Sequence, residues 1–228
     1  MLRRCLFAFL CLAPLASIRA QDDQPAMPLY GHVEGNTYYN PSGLYSIRIP
    51  IDMELNGNIS DTPQVVIFQD AFRQVSIAVI PQDAIQKWEL QTQDMKSYLQ
   101  EFFEQKVFPS YYRDHPKASY ETNARFIPDR LGGCLIAYVL LPGGSMFDSP
   151  DLHIAAESTP PVAKRGNLLF VHDGNVVIVS TELAERVTEG SYYHLTVEQE
   201  DLLLRDRLLD IASRFRFLKF TNPAAPQF

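Results

Sequence analysis

The chain has 228 residues, 46% of them hydrophobic, with 20 Lys and Arg against 27 Asp and Glu, a net charge of −7. An acidic surface argues against nucleic acid and anionic lipid as partners, because both need basic side chains to neutralise phosphate. The length suits one sizeable core, and no linker, charge block or repeat divides it.

Residues 1–20, "MLRRCLFAFLCLAPLASIRA", place Arg3 and Arg4 ahead of a short apolar run and end on a small residue before "QDDQP". Those are the parts of a secretory signal peptide, and the run is too short for a permanent bilayer anchor. The expectation is therefore an exported protein, periplasmic or secreted, with no stable membrane anchor once the signal is cut. Without that segment 17 basic side chains face 27 acidic ones, a net charge of −10, and Cys134 is the one cysteine left. A lone cysteine makes no internal disulfide, and "GGCLIAYVLL" suits a buried strand position.

Residues 21–37 read as a polar lead, 38–218 as a single domain and 219–228 as a tail. In "YYNPSGLYSIRIP" Tyr45, Ile47 and Ile49 share one face and Pro50 stops the strand. "QVVIFQD" and "QVSIAVIP" are close enough for an antiparallel hairpin. Helical spacing then takes over in "TQDMKSYLQEFFEQKVFP", where Met95, Tyr98, Leu99, Phe102, Phe103 and Val107 recur, Thr92 suits the N-cap and Pro109 the end. "ASYETNARFIP" and "GGCLIAYVLLP" give two more strands. A connection rich in proline, glycine and serine follows over 142–165. "GNLLFVHDGNVVIVST" is a hairpin turning on Asp173-Gly174. The last helix opens on a Thr196–Gln199 capping box, with Leu204, Leu208, Ile211, Ala212 and Phe215 as its apolar stripe and Glu198, Glu200 and Asp201 on a solvated first turn. The fold expected is α+β: an antiparallel sheet of about seven strands with two main helices packed on it, like an α-β-α sandwich.

The segment "SGLYSIRIP", the hairpin and helix after it, and the closing "LLDIASRFRFL" together resemble PsbP-like domains, over about residues 38–217. The chain departs from that pattern in lacking a Trp after Pro50 and in its 142–165 connection. The resemblance implies a sandwich fold and a non-enzymatic role, and it carries no catalytic residue across.

Chemistry has few footholds. The five histidines, His32, His115, His153, His172 and His194, show no helical metal-ligand pair, so neither metal nor cofactor is expected. "PGGSMFD" puts Ser145 near Asp148 and His153, the residue types of an acyl-transfer triad. Yet Phe147 stands where a nucleophile elbow has glycine. Long loops serve recognition, so Met146, Phe147 and His153 are the first candidate binding residues. Tyr111 and Tyr112, just past the first helix, are the second pair, since aromatics beside an Arg make interface anchors. The function expected is a non-catalytic accessory or binding domain that contacts an envelope protein. The alternative is a secreted serine hydrolase using Ser145.

Overall fold

In the computed structural model, which describes residues 28–147 and 161–218, the alternating runs form two antiparallel sheets. The smaller holds β1 (His32–Glu34), β2 (Thr37–Tyr39), β3 (Tyr45–Arg48) and β12 (Phe215–Phe217), in that order. The larger holds eight strands: β4 (Asn58–Asp61), β5 (Val65–Gln69), β6 (Gln74–Pro81), β7 (Ser119–Tyr120), β8 (Arg125–Ile127), β9 (Cys134–Pro142), β10 (Val162–His172) and β11 (Asn175–Glu182). Its spatial order is β4-β5-β6-β11-β10-β9-β7, with β8 also paired to β9.

The α+β class and the antiparallel pairing are as read from sequence. The division into two sheets is new. Phe215, expected on the last helix, opens β12 and pairs with Ile47, closing the small sheet. The stretch before Asn40 also carries the β1–β2 hairpin, which runs on into β3. His32 and Tyr39 stack there with ring centroids 4.7 Å apart. Tyr45, Ile47 and Ile49 do point inward, all three buried.

Alternation along the central strands gives each face of the large sheet its own core. Ile136, Tyr138, Leu168, Phe170, Val177 and Val179 pack beneath the small sheet and α5 (Val197–Ser213). Leu135, Ala137, Val139, Leu169, Val176 and Ile178 pack beneath the other helices. Those are α1 (Ala84–Thr92), α2 (Met95–Phe102), a π-helical turn over Phe103–Val107, α3 (Phe108–Asp114) and the short α4 (Glu185–Thr188). Burying both faces of a sheet this way is the layered solution such a pattern favours.

The first expected helix is right in position and differs at both ends. Asp94, not Thr92, caps α2, its carboxylate accepting the Ser97 N–H at 3.0 Å. Pro109 does not end the helix. It stands in the first turn of α3, where a missing N–H is tolerated, and the wide π turn before it lets the chain continue. At the hairpin, Asp173 (φ 45°) and Gly174 (φ 68°) supply the two positive dihedrals that a tight turn requires. Cys134 is free and fully buried, and burial pushes its thiol up to about 11.

Candidate functional site

β9 and β10 run side by side until the chain leaves the sheet after Pro142 and returns at Val162. Side chains alternate across β10, so Lys164 and Arg165 leave on opposite faces, and each builds a polar cluster at this end of the sheet.

On the α3 face, the Glu182 side chain is fully buried and its charge is met by Arg165, whose Nε lies 3.1 Å from Glu182 Oε2. A buried carboxylate is tolerable only with such a partner and with its remaining lone pairs occupied. They are occupied by the loop root. Ser145 donates its hydroxyl to Glu182 Oε1, and the Met146 N–H donates to Oε2 at 3.1 Å. The Phe147 N–H donates to Ser145 Oγ at 3.0 Å, and Arg165 Nη2 reaches the Gly144 carbonyl at 3.1 Å. Gly144 has no room for a side chain: a Cβ there would lie 2.9 Å from both His115 Cε1 and Leu141 Cβ. The Gly143 N–H closes the base of the connection on the Pro161 carbonyl at 2.9 Å.

Beside this clasp, Tyr111 donates its hydroxyl to Asn167 Oδ1 at 2.8 Å, and Ser180 donates to the same oxygen at 2.7 Å. The Arg165 guanidinium lies 6.0 Å from the Tyr111 ring. Through these contacts the two candidate pairs, distant in sequence, share one corner. Tyr112 (54% exposed) and Met146 (42%) stand in solvent, with Tyr111 and Phe147 half-buried beside them. The Tyr111 hydroxyl is therefore spent inside the protein, on Asn167. His153 and Asp148 lie outside the described residues.

Ser145 is engaged rather than poised. Its proton goes to a carboxylate already held by Arg165 and the Met146 amide, and its oxygen accepts the Phe147 N–H. A nucleophile needs a base free to take its proton. Among the described residues no group of His, Cys, Asp and Glu could hold a metal ion, and no helix is long and apolar enough to cross a membrane.

On the α5 face, Lys164 is fully buried with its ammonium 2.7 Å from Asp201, 2.9 Å from Glu121 and 3.2 Å from Glu200. Arg186 Nη1 (2.5 Å) and the Tyr193 hydroxyl (2.9 Å) complete Glu200, and Asn123 donates to Asp201. The solvated reading of the α5 first turn therefore holds for Glu198, which is exposed, and fails for Glu200 and Asp201, which are buried. "ASYETNARFIP" forms two short strands, β7 and β8, both paired to β9, and Glu121 and Asn123 between them reach this cluster. The sequence signal for both clusters was "VAKRGNLLFV", an adjacent Lys and Arg leading into a strand.

No protein-family model matches the sequence, and no curated protein matches it either. Among solved structures the fold is similar to the Saccharomyces cerevisiae Ran-binding protein Mog1p, at 12% identity over 82% of this chain and 96% of that one, with a TM-score of 0.45. It is similar also to cyanobacterial PsbP (CyanoP) from Synechocystis, at 12% identity over 80% and 91% of the two chains and a TM-score of 0.45. A Bacteroides thetaiotaomicron protein matches 82% of the chain at 9% identity with a TM-score of 0.39, and the chain spans 50% of its length.

Proposed function

We propose that the chain is an exported, non-catalytic binding domain that contacts a protein partner of the cell envelope through the corner formed by Tyr111, Tyr112, Met146 and Phe147. The observation that carries this reading is the clasp beneath Met146: a buried carboxylate fixes the backbone of an exposed apolar residue. A side chain mounted on ordered backbone loses less freedom on association, so more of its contact energy appears as affinity. Tyr and Met are also residue types enriched at interface centres. The exported part of the reading rests on residues 1–20, whose pattern is that of a signal peptide.

The double substitution Tyr112→Ala, Met146→Ala tests it. Retention of the partner on the immobilised protein falls about tenfold or more, the loss of two anchors worth roughly 1 kcal/mol each. The thermal midpoint stays within a few degrees, because both side chains are exposed. Unchanged retention would move the contact surface elsewhere.

A further inference from the structure

α1 leaves its two largest apolar side chains in water, Ile85 at 67% and Trp88 at 62% exposure. That is also why sequence periodicity missed it: only Gln86 of this helix is buried, and no apolar stripe exists to read. Beside Ile85 a cleft of about 130 Å³ runs between α1 and α2, with Ile85, Tyr98 and Phe102 as its apolar wall and Glu89, Glu101 and Lys106 at its edge. Asp83, the α1 cap, adds a third carboxylate against the single ammonium. Glu101 accepts from Gln105 at 2.7 Å, whereas Glu89 has no ion pair or side-chain hydrogen bond among the described residues. Tyr98, 1% exposed, lines the cleft. Its hydroxyl accepts from Gln82 at 2.8 Å, and among the described residues nothing accepts its own O–H.

The dimensions select the occupant. Sites for drug-sized ligands run to several hundred Å³, so this cleft holds about one side chain. Its surroundings ask for a long apolar stem ending in a cation, the two halves of a lysine or arginine. We propose that the α1–α2 cleft receives a basic side chain from a partner polypeptide. The stem lies on Ile85, Tyr98 and Phe102, the charged head meets Glu89 and Glu101, and Trp88 covers the apolar residues flanking it. The free Tyr98 O–H donates to a carbonyl of the same segment. The site is separate from the Met146 corner: α1 begins beside the β10–β11 turn, where the Gln82 N–H meets the Gly174 carbonyl, and the corner lies at the other end of β10.

Trp88 is the only tryptophan and stands on α1 next to Glu89, which edges the cleft, so its fluorescence reports on a segment bound across α1. The test titrates the purified protein with acetylated, amidated nonapeptides that carry Leu-Xaa-Leu at the centre of a Gly-Ser sequence, with Xaa lysine, norleucine or glutamate. The lysine peptide shifts Trp88 emission saturably, norleucine binds about fivefold more weakly, and glutamate leaves the emission unchanged. Glu89→Gln and, independently, Glu101→Gln each weaken the lysine peptide about fivefold and leave norleucine unaffected, with far-UV circular dichroism intact. Equal binding of norleucine and lysine would overturn the proposal in favour of a purely apolar partner. No shift with lysine up to about 1 mM would overturn it outright. A concentration-dependent change in Trp88 emission without peptide would assign the face to a second copy of the chain instead.

Discussion

Lys164→Met destabilises the protein by about 3–5 kcal/mol in urea unfolding at neutral pH, the usual cost of breaking a buried ion pair from one side. The methionine matches the stem in volume and removes the ammonium that Asp201, Glu121 and Glu200 share. Arg186 still covers Glu200, so the stranded charges are chiefly Asp201 and Glu121, the latter with one oxygen already unpartnered. Neutralising both in the same chain, Lys164→Met with Glu121→Gln and Asp201→Asn, recovers most of the loss. Continued instability of the triple variant would show that packing, not charge, dominates. The pH dependence follows from the same contacts. Burial opposes the charge on Lys164, but hydrogen bonds and attraction from Asp201 and Glu121 outweigh it and hold the proton above the ordinary 10.5. A raised folded-state value stabilises fully below about pH 10.5 and is lost as pH climbs through it, so the methionine variant lacks this alkaline loss. The acid side has a different source. Burial would raise Glu185, yet the Arg207 guanidinium holds it below its ordinary 4.5. That contribution is present above about pH 4.5 and fades as pH falls through the lowered value.

Glu182→Ala costs about 3 kcal/mol and, unlike the lysine change, it acts at the Met146 corner. It strands the Arg165 guanidinium, the Ser145 hydroxyl and the Met146 N–H together. The specific readout is amide hydrogen exchange at Met146, which accelerates far more than exchange in the central strands β6, β10 and β11. Partner binding weakens as well, although Glu182 itself is buried and touches no partner. An unchanged Met146 exchange rate would mean that Gly144, Leu141 and the Gly143–Pro161 bond hold the corner without the carboxylate.

Much of the fold was legible because its signals are local. Short β-branched and apolar runs marked β5, β6, β9, β10 and β11, Asp173-Gly174 the central turn, and Thr196–Gln199 the start of α5, where the capping box is present in full. The segments missed are those whose reason lies elsewhere in the chain. β12 is three residues long and exists because Phe215 and Phe217 find Ile47 and Tyr45. α1 has a capping box of its own, Asp83 with Gln86, but no apolar stripe to advertise it. For the site, the choice of Tyr111, Tyr112, Met146 and Phe147 came from residue type, and their adjacency depends on folding alone. Lys164-Arg165 was the one sequence signal for the corner, and it was passed over, as was Glu182, because a charged residue beside an apolar run reads as the end of a strand. Glu200 and Asp201 were placed in water by the same logic, since nothing near them in sequence announces a buried lysine 36 and 37 residues earlier.

Site-specific photo-crosslinking in the producing cell bears most directly on the reading of this chain as a binding domain. A benzophenone side chain is placed in turn at Tyr112, Met146 and, as a control at the β4 edge of the large sheet, Tyr30, which is 64% exposed and bonds Asp61 through its N–H. The binding-domain reading predicts one discrete protein adduct, shared by positions 112 and 146 and absent at 30. Adducts of equal yield at all three positions, or none at 112 and 146, would contradict it.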